Sequence, residues 1–211
     1  PYLRPMVRTY LPRIADGILA KALASSGAVQ IRGPKWCGKT ATGSRAAASL
    51  LYMQNPDHQR QYLALADSKP SSLLEGATPR LIDEWQMAPQ LWDAVRFTVD
   101  QRGLPGQFIL TGSSTPIVQG AHSGVGRIER FSMRTMSLFE SKESNGQVSL
   151  ASLFDGAVDI GAVSPLDVDG IARVMCRGGW PAAVTAQNPD QALRLPRAYV
   201  DGLISSDVSR M

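Results

Sequence analysis

The sequence predicts an α/β fold with a mostly parallel sheet. Three observations predict it. Short apolar runs alternate with helical patterns between residues 14 and 114. A glycine-bounded stretch, "GPKWCGKT", stands between one such run and one such pattern. An acid pair, Asp83 and Glu84, closes a later run.

The elements follow in order. Residues 14–26 carry Ile14, Ile18, Leu19, Ala22 and Leu23 at helical spacing, and Gly27 stops the helix. "AVQIR" (28–32) is apolar and runs into Gly33 and Pro34, so it reads as a buried strand ending in a turn. Residues 40–53, rich in alanine and leucine, read as a helix. "QYLALAD" (61–67) alternates and predicts a strand. "PRLIDE" (79–84) is a strand ending in two acids. Residues 89–103 predict an amphipathic helix with Leu91, Trp92, Val95, Phe97 and Val99 inward and Gly103 as its stop. "GQFILTGSS" (106–114) is a further strand. The glycine- and serine-rich stretch 113–126 reads as a loop, and "RIERFSMR" (127–134) holds three arginines. Residues 144–149 read as a turn or linker. The predicted division is therefore 1–145 for the α/β core and 146–211 for a mainly helical region.

Composition narrows the class. The chain has 211 residues, 44% hydrophobic and 19% charged, enough for one large core or one domain plus a fragment. No run of about 18 apolar residues predicts a membrane span. The basic N-terminus lacks the apolar stretch of a signal peptide. Cys37 and Cys176 are the only cysteines, which suits a reduced cytoplasm better than a disulfide framework. A net charge of +4 permits an acidic ligand or nucleic acid without requiring either. His58 and His122 are isolated, and no Cys–His zinc pattern is present.

"GPKWCGKT" fits G-x-x-x-x-G-K-[ST] between a strand and a helix. Gly33 and Gly38 let the backbone bend so that successive N–H groups face a phosphate. The helix starting near Lys39 adds the positive end of its dipole. Lys39 places a charge at the β- and γ-phosphates, and Thr40 offers a hydroxyl to Mg²⁺. The nucleotide-binding set is thus Gly33, Pro34, Lys35, Trp36, Cys37, Gly38, Lys39, Thr40 and Ala41. A thiol at Cys37 near a helix N-terminus is a candidate for reactivity, though a passive role is the simpler reading.

In "LIDEWQ", Asp83 would orient Mg²⁺ and Glu84 would polarise the attacking water. The interval from Thr40 to Asp83 has room for a helix, a strand and a crossover. "FILTGSS" places Thr111 and Ser113 at a strand tip, where a hydroxyl could meet the γ-phosphate or the water. Arg127, Arg130 and Arg134 are candidates to stabilise charge developing on the transferred phosphoryl group, in the same chain or a neighbour. A solvated basic face, or a pair with Glu129, would explain the same residues.

"YLPRIADGILAKALASSGAVQIRGPKWCGKT", "RLIDEWQMAPQLWDAVRFTVDQRG", "QFILTGSSTP" and "SGVGRIERFSMRTMSLFES" resemble a family of bacterial and archaeal AAA+-like ATPases. Its members join an ATP-binding domain to a C-terminal domain of unknown function. The resemblance covers most of residues 10–160. It implies an ASCE-type P-loop core, a three-layer α/β/α arrangement, with Lys39 and Thr40 in the Walker A role and Asp83 and Glu84 in the Walker B role. It puts Thr111 and Ser113 in the sensor segment and makes the arginines of "GRIERFSMRTMSLFE" finger candidates. Thr135 stands where the family has proline. Family chains run to about twice this length, beyond the prior of about 150 residues per domain, so 146–211 would be the start of a second domain.

The expected function is Mg²⁺-dependent ATP hydrolysis driving a conformational change on a macromolecular partner, nucleic acid or protein, with a homo-oligomer as one candidate assembly. A nucleotide-gated DNA- or protein-binding module with slow hydrolysis is the alternative. A P-loop kinase shares the loop, but the glutamate after Asp83 opposes it because kinases avoid activating water. No N-K-x-D stretch is present to read guanine.

Overall fold

Helices and strands alternate along Arg13–Arg134, one of two units into which the chain divides. The computed structural model describes residues 10–112, 123–156 and 161–206. Helix α1 (Ile14–Ser25) opens the unit, its first turn closed by the Arg13 backbone N–H donating to Asp16 Oδ2 at 2.8 Å. Strand β1 (Ala28–Arg32) leads through the glycine loop into α2 (Lys39–Ala46). Then come β2 (Ser49–Tyr52), α3 (Gln59–Ser68), β3 (Arg80–Asp83), α4 (Gln90–Arg102), β4 (Phe108–Thr111) and β5 (Ile128–Ser132).

The five strands form one sheet in the order β2-β3-β4-β1-β5, and every neighbouring pair is parallel. Strand period two divides the sheet's apolar side chains between its faces. Ala28, Ile82, Phe108, Leu110 and Ile128 join Ala66 of α3 and Leu91, Trp92, Val95 and Val99 of α4 in one core. Val29, Ile31, Leu81 and Ile109 face the other way, toward α1 and α2, and are fully buried. Helices on both faces make three layers, as parallel sheets require when both sides must be dry.

Two expected elements differ. Residues 61–67 form part of helix α3, not a strand. The alternation there was incomplete, because Tyr62 and Leu63 are adjacent. Tyr62, Leu63, Leu65 and Ala66 share one side of a helix that packs on the core. The expected helix over 40–53 stops at Ala46, and Ser49–Tyr52 turns into an edge strand beside β3. Alanine and leucine favour helix locally, but pairing with Arg80–Asp83 decides the segment. Phe97, expected inward, is 59% exposed, whereas Leu91, Trp92, Val95 and Val99 form the buried stripe of α4. Strand β5 lies within the arginine-rich stretch, for which the sequence pattern predicts no element.

The second unit comprises Thr135–Met211 together with Pro1–Pro12. Its described helices are α5 (Leu150–Phe154), α6 (Val168–Arg177), α7 (Pro181–Val184) and α8 (Pro189–Ser206). Asp167 caps α6 by accepting from the Gly170 N–H at 2.7 Å. Trp180 and Tyr199 bring α7 and α8 together, their rings 4.2 Å apart. Among the described residues no helix is long and apolar enough to cross a membrane.

Candidate nucleotide-binding site

The glycine loop leaves β1 and bends back on itself. Gly33 has φ +150°, and a Cβ there would meet the Met133 carbonyl oxygen at 2.1 Å, so only glycine fits against the exit of β5. Trp36 holds φ 64° and is 68% exposed, and Gly38, at φ 107°, begins α2 without a side-chain cap. Pro34 and Lys35 are exposed, as is Ala41 in the first turn of α2. Lys39 is buried, and its Nζ donates to the carbonyls of Gly33 (2.9 Å) and Pro34 (2.8 Å). Its ammonium therefore lies along the inside of the loop.

Cys37 anchors the loop from below. It is fully buried, its Sγ reaches Met133 O at 3.6 Å, and burial pushes its thiol pKa up despite the opposing pull of Lys39. A buried thiol with a raised pKa is a passive packing group. Arg13, which sequence reasoning missed, fixes the same place. Its buried guanidinium donates to Cys37 O at 2.8 Å and to Arg134 O at 2.9 Å. An arginine just before a helix carries no sequence signal for this role.

Strand order brings the acid pair to the loop. β4 lies between β1 and β3, and Thr111 is in register with both Ile31 and Asp83. Asp83, 1% exposed, accepts from Thr40 Oγ1 at 2.8 Å and from Thr111 Oγ1 on one oxygen, and from Gln54 Nε2 at 2.7 Å on the other. Thr111 thus spends its hydroxyl on Asp83. Gln54, just past β2, carries no sequence signal for this role, because only pairing with β3 makes Ser49–Tyr52 a strand. Glu84 is half-buried in the left-handed region, φ 57° and ψ 41°, and accepts from Gln86 Nε2. Ser113 lies outside the described residues.

The three arginines part company. Arg127 pairs with Asp100 at 2.8 Å, and that hydrogen bond raises its pKa. Arg130 lies 4.7 Å above the Trp92 ring and donates to Ser123 O at 3.1 Å, with burial and then Arg32 lowering its pKa. Arg134 is exposed and follows Met133, whose carbonyl abuts Gly33. Its guanidinium makes no ion pair with the described residues.

These residues fit a nucleotide triphosphate with a hard divalent cation. The uncapped start of α2 and the buried Lys39 suit phosphate. The Thr40 hydroxyl and Asp83 carboxylate, already within 2.8 Å, are the oxygen donors that Mg²⁺ prefers. Among the described residues no group of three His, Cys, Asp or Glu forms a separate metal cluster.

Comparison with known proteins bears on the family and the fold. A family model described as an AAA domain matches residues 25–142. Uncharacterized proteins of Mycobacterium bovis and Mycobacterium tuberculosis are each 27% identical over 205 residues, 94% of this chain. The chain spans 40% of the length of either relative. A Walker-type ATPase of Pyrococcus abyssi shares the fold, with a TM-score of 0.55 and 14% identity over 99% of this chain and 78% of its own. The family match takes in more than half the residues, from the end of α1 past β5, and with it the chain belongs to the AAA domain family of P-loop ATPases.

Proposed function

We propose that this chain carries the catalytic site of an Mg²⁺-dependent ATPase that couples hydrolysis to a conformational change on a macromolecular partner. The observation that supports it most is the Thr40–Asp83 hydrogen bond, 2.8 Å, joining the phosphate loop to the acid-bearing strand. The loop amides and Lys39 hold the β- and γ-phosphates. Thr40 and Asp83 hold the metal, with Gln54 and Thr111 fixing the carboxylate. Mg²⁺ bound there supplies charge neutralisation of the phosphate oxygens. Glu84 takes a proton from the attacking water as the water oxygen bonds to the γ-phosphorus and the bond to the bridging oxygen breaks. Arg134, exposed beside the loop, is the arginine best placed to meet charge on the γ-phosphate, in this chain or a neighbour.

The test is phosphate release and nucleotide binding by the full-length protein. Lys39→Ala should weaken ATP binding and abolish turnover. Glu84→Gln should keep ATP binding and lower turnover by about 10²–10⁴, the usual contribution of a general base. Unchanged binding and turnover in Lys39→Ala would reject the reading. Transfer to an added acceptor with little free phosphate would make the chain a kinase.

A further inference from the structure

Resting on the reading of Glu84 as the base, we propose that Gln86 is a positioning residue for it, held in place by the bare backbone of Gly112. Glu84 adopts a left-handed conformation that a glutamate does not favour. The turn that follows, Trp85–Met87, is anchored from the core side by Trp85, 2% exposed, whose ring lies 5.2 Å from that of Trp92. With Trp85 turned inward, Glu84 and Gln86 flank it and meet: Gln86 Nε2 donates to Glu84 Oε2. A carboxylate only accepts, so the amide must present its NH₂ group there and direct Oε1 the other way.

That direction is the tip of β4. A Cβ on Gly112 would meet Gln86 Oε1 at 2.1 Å and Cδ at 3.0 Å. Gly112 does not have positive φ, so close approach, not backbone conformation, is what calls for glycine here. Gln86 Oε1 is buried, with no partner among the described residues, so the amide is wedged between carboxylate and backbone. One Glu84 oxygen is thereby tied down, while the other makes no hydrogen bond among the described residues. The same β4 carries Thr111, which holds Asp83, so one strand tip sets both the metal ligand and the base.

The obstructing atoms belong to the far end of a flexible side chain. Gly112→Ala should therefore displace the Gln86 amide without breaking the sheet, giving a second route to the same defect as Gln86→Ala. The experiment is a double-mutant cycle in the full-length protein, with Glu84→Gln as control. Expected are kcat losses of about tenfold to a hundredfold for each single variant, the cost of misplacing a catalytic group by about 1 Å, and no further loss in the double. KM for ATP and the thermal shift given by ADP should stay at wild-type values, which a general loss of structure would not allow. In nucleotide-free protein, Gly112→Ala should lower the melting temperature less in the Gln86→Ala background than in wild type. Additive kcat losses, or equal melting costs in both backgrounds, would overturn the proposal. If Glu84→Gln is inactive while Gln86→Ala and Gly112→Ala turn over normally, the positioning role alone fails. If Glu84→Gln is itself active, the base assignment fails and the proposal with it.

Discussion

Arg13 shows how a single buried side chain can hold a loop that acts elsewhere. Its forked guanidinium spans two carbonyls, one in the glycine loop and one at the exit of β5. Removing the fork takes a hydrogen bond from each carbonyl. Arg13→Met should cost about 1–3 kcal/mol in urea unfolding, the usual penalty for an abandoned buried acceptor. It should also weaken ADP binding measured by calorimetry, because Cys37 O then floats. Arg13→Lys should recover only part of the loss, since an ammonium cannot reproduce the two-pronged geometry. A second residue-scale prediction concerns Glu143 in the helical unit. Both Glu143 oxygens accept from Arg177 at 2.6 Å, and those bonds hold its carboxyl below the ordinary value. A carboxyl whose folded pKa is depressed adds stability above its unfolded pKa and loses it as pH falls through the folded one. Melting curves should therefore show wild type more stable than Glu143→Gln at neutral pH. The gap should close as pH drops below about 4, where an unperturbed glutamate already protonates.

Among the elements, β4 carries the most consequence. It separates the loop strand from the acid strand and is in register with both. All four of its residues are buried. Ile109 lies between Val29 and Leu81 and faces the α1 and α2 layer, with no exposed surface. Ile109→Ala should cost about 2–5 kcal/mol in chemical denaturation, as cavities at fully buried aliphatic positions do. A loss well under 1 kcal/mol would mean that the layer collapses around the gap. β2 makes the opposite case. Its sequence is helix-compatible, one neighbour pairs it, and Leu50 is 44% exposed, so its strand state rests on β3.

At the scale of the whole molecule, all five strands and every described site residue fall within Arg13–Arg134. A fragment spanning those residues should therefore fold and bind ADP with an affinity close to that of the 211-residue chain, measured by calorimetry. Failure to bind would show that residues outside the unit complete the pocket. The two mycobacterial relatives extend well beyond the matched region.

Sequence alone marked the loop and the acid pair as the candidate site, because the proposed phosphate and metal chemistry demands particular residue types at fixed spacing. Gly33, Lys39, Thr40 and Asp83 announce themselves in that way. Sequence also determined the buried strands at 28–32 and 108–111, whose apolar runs leave little choice. Tertiary structure decided the rest. The edge strand β2 forms because β3 pairs with it, and with β2 comes Gln54 on Asp83. The separation of the three arginines depends on Asp100 and Trp92, which lie on helix α4, distant in sequence from β5. Gln86 meets Glu84 and Gly112 only after β3 and β4 are side by side. Local preference is written in neighbouring residues, but these contacts join segments that become neighbours only when the sheet closes.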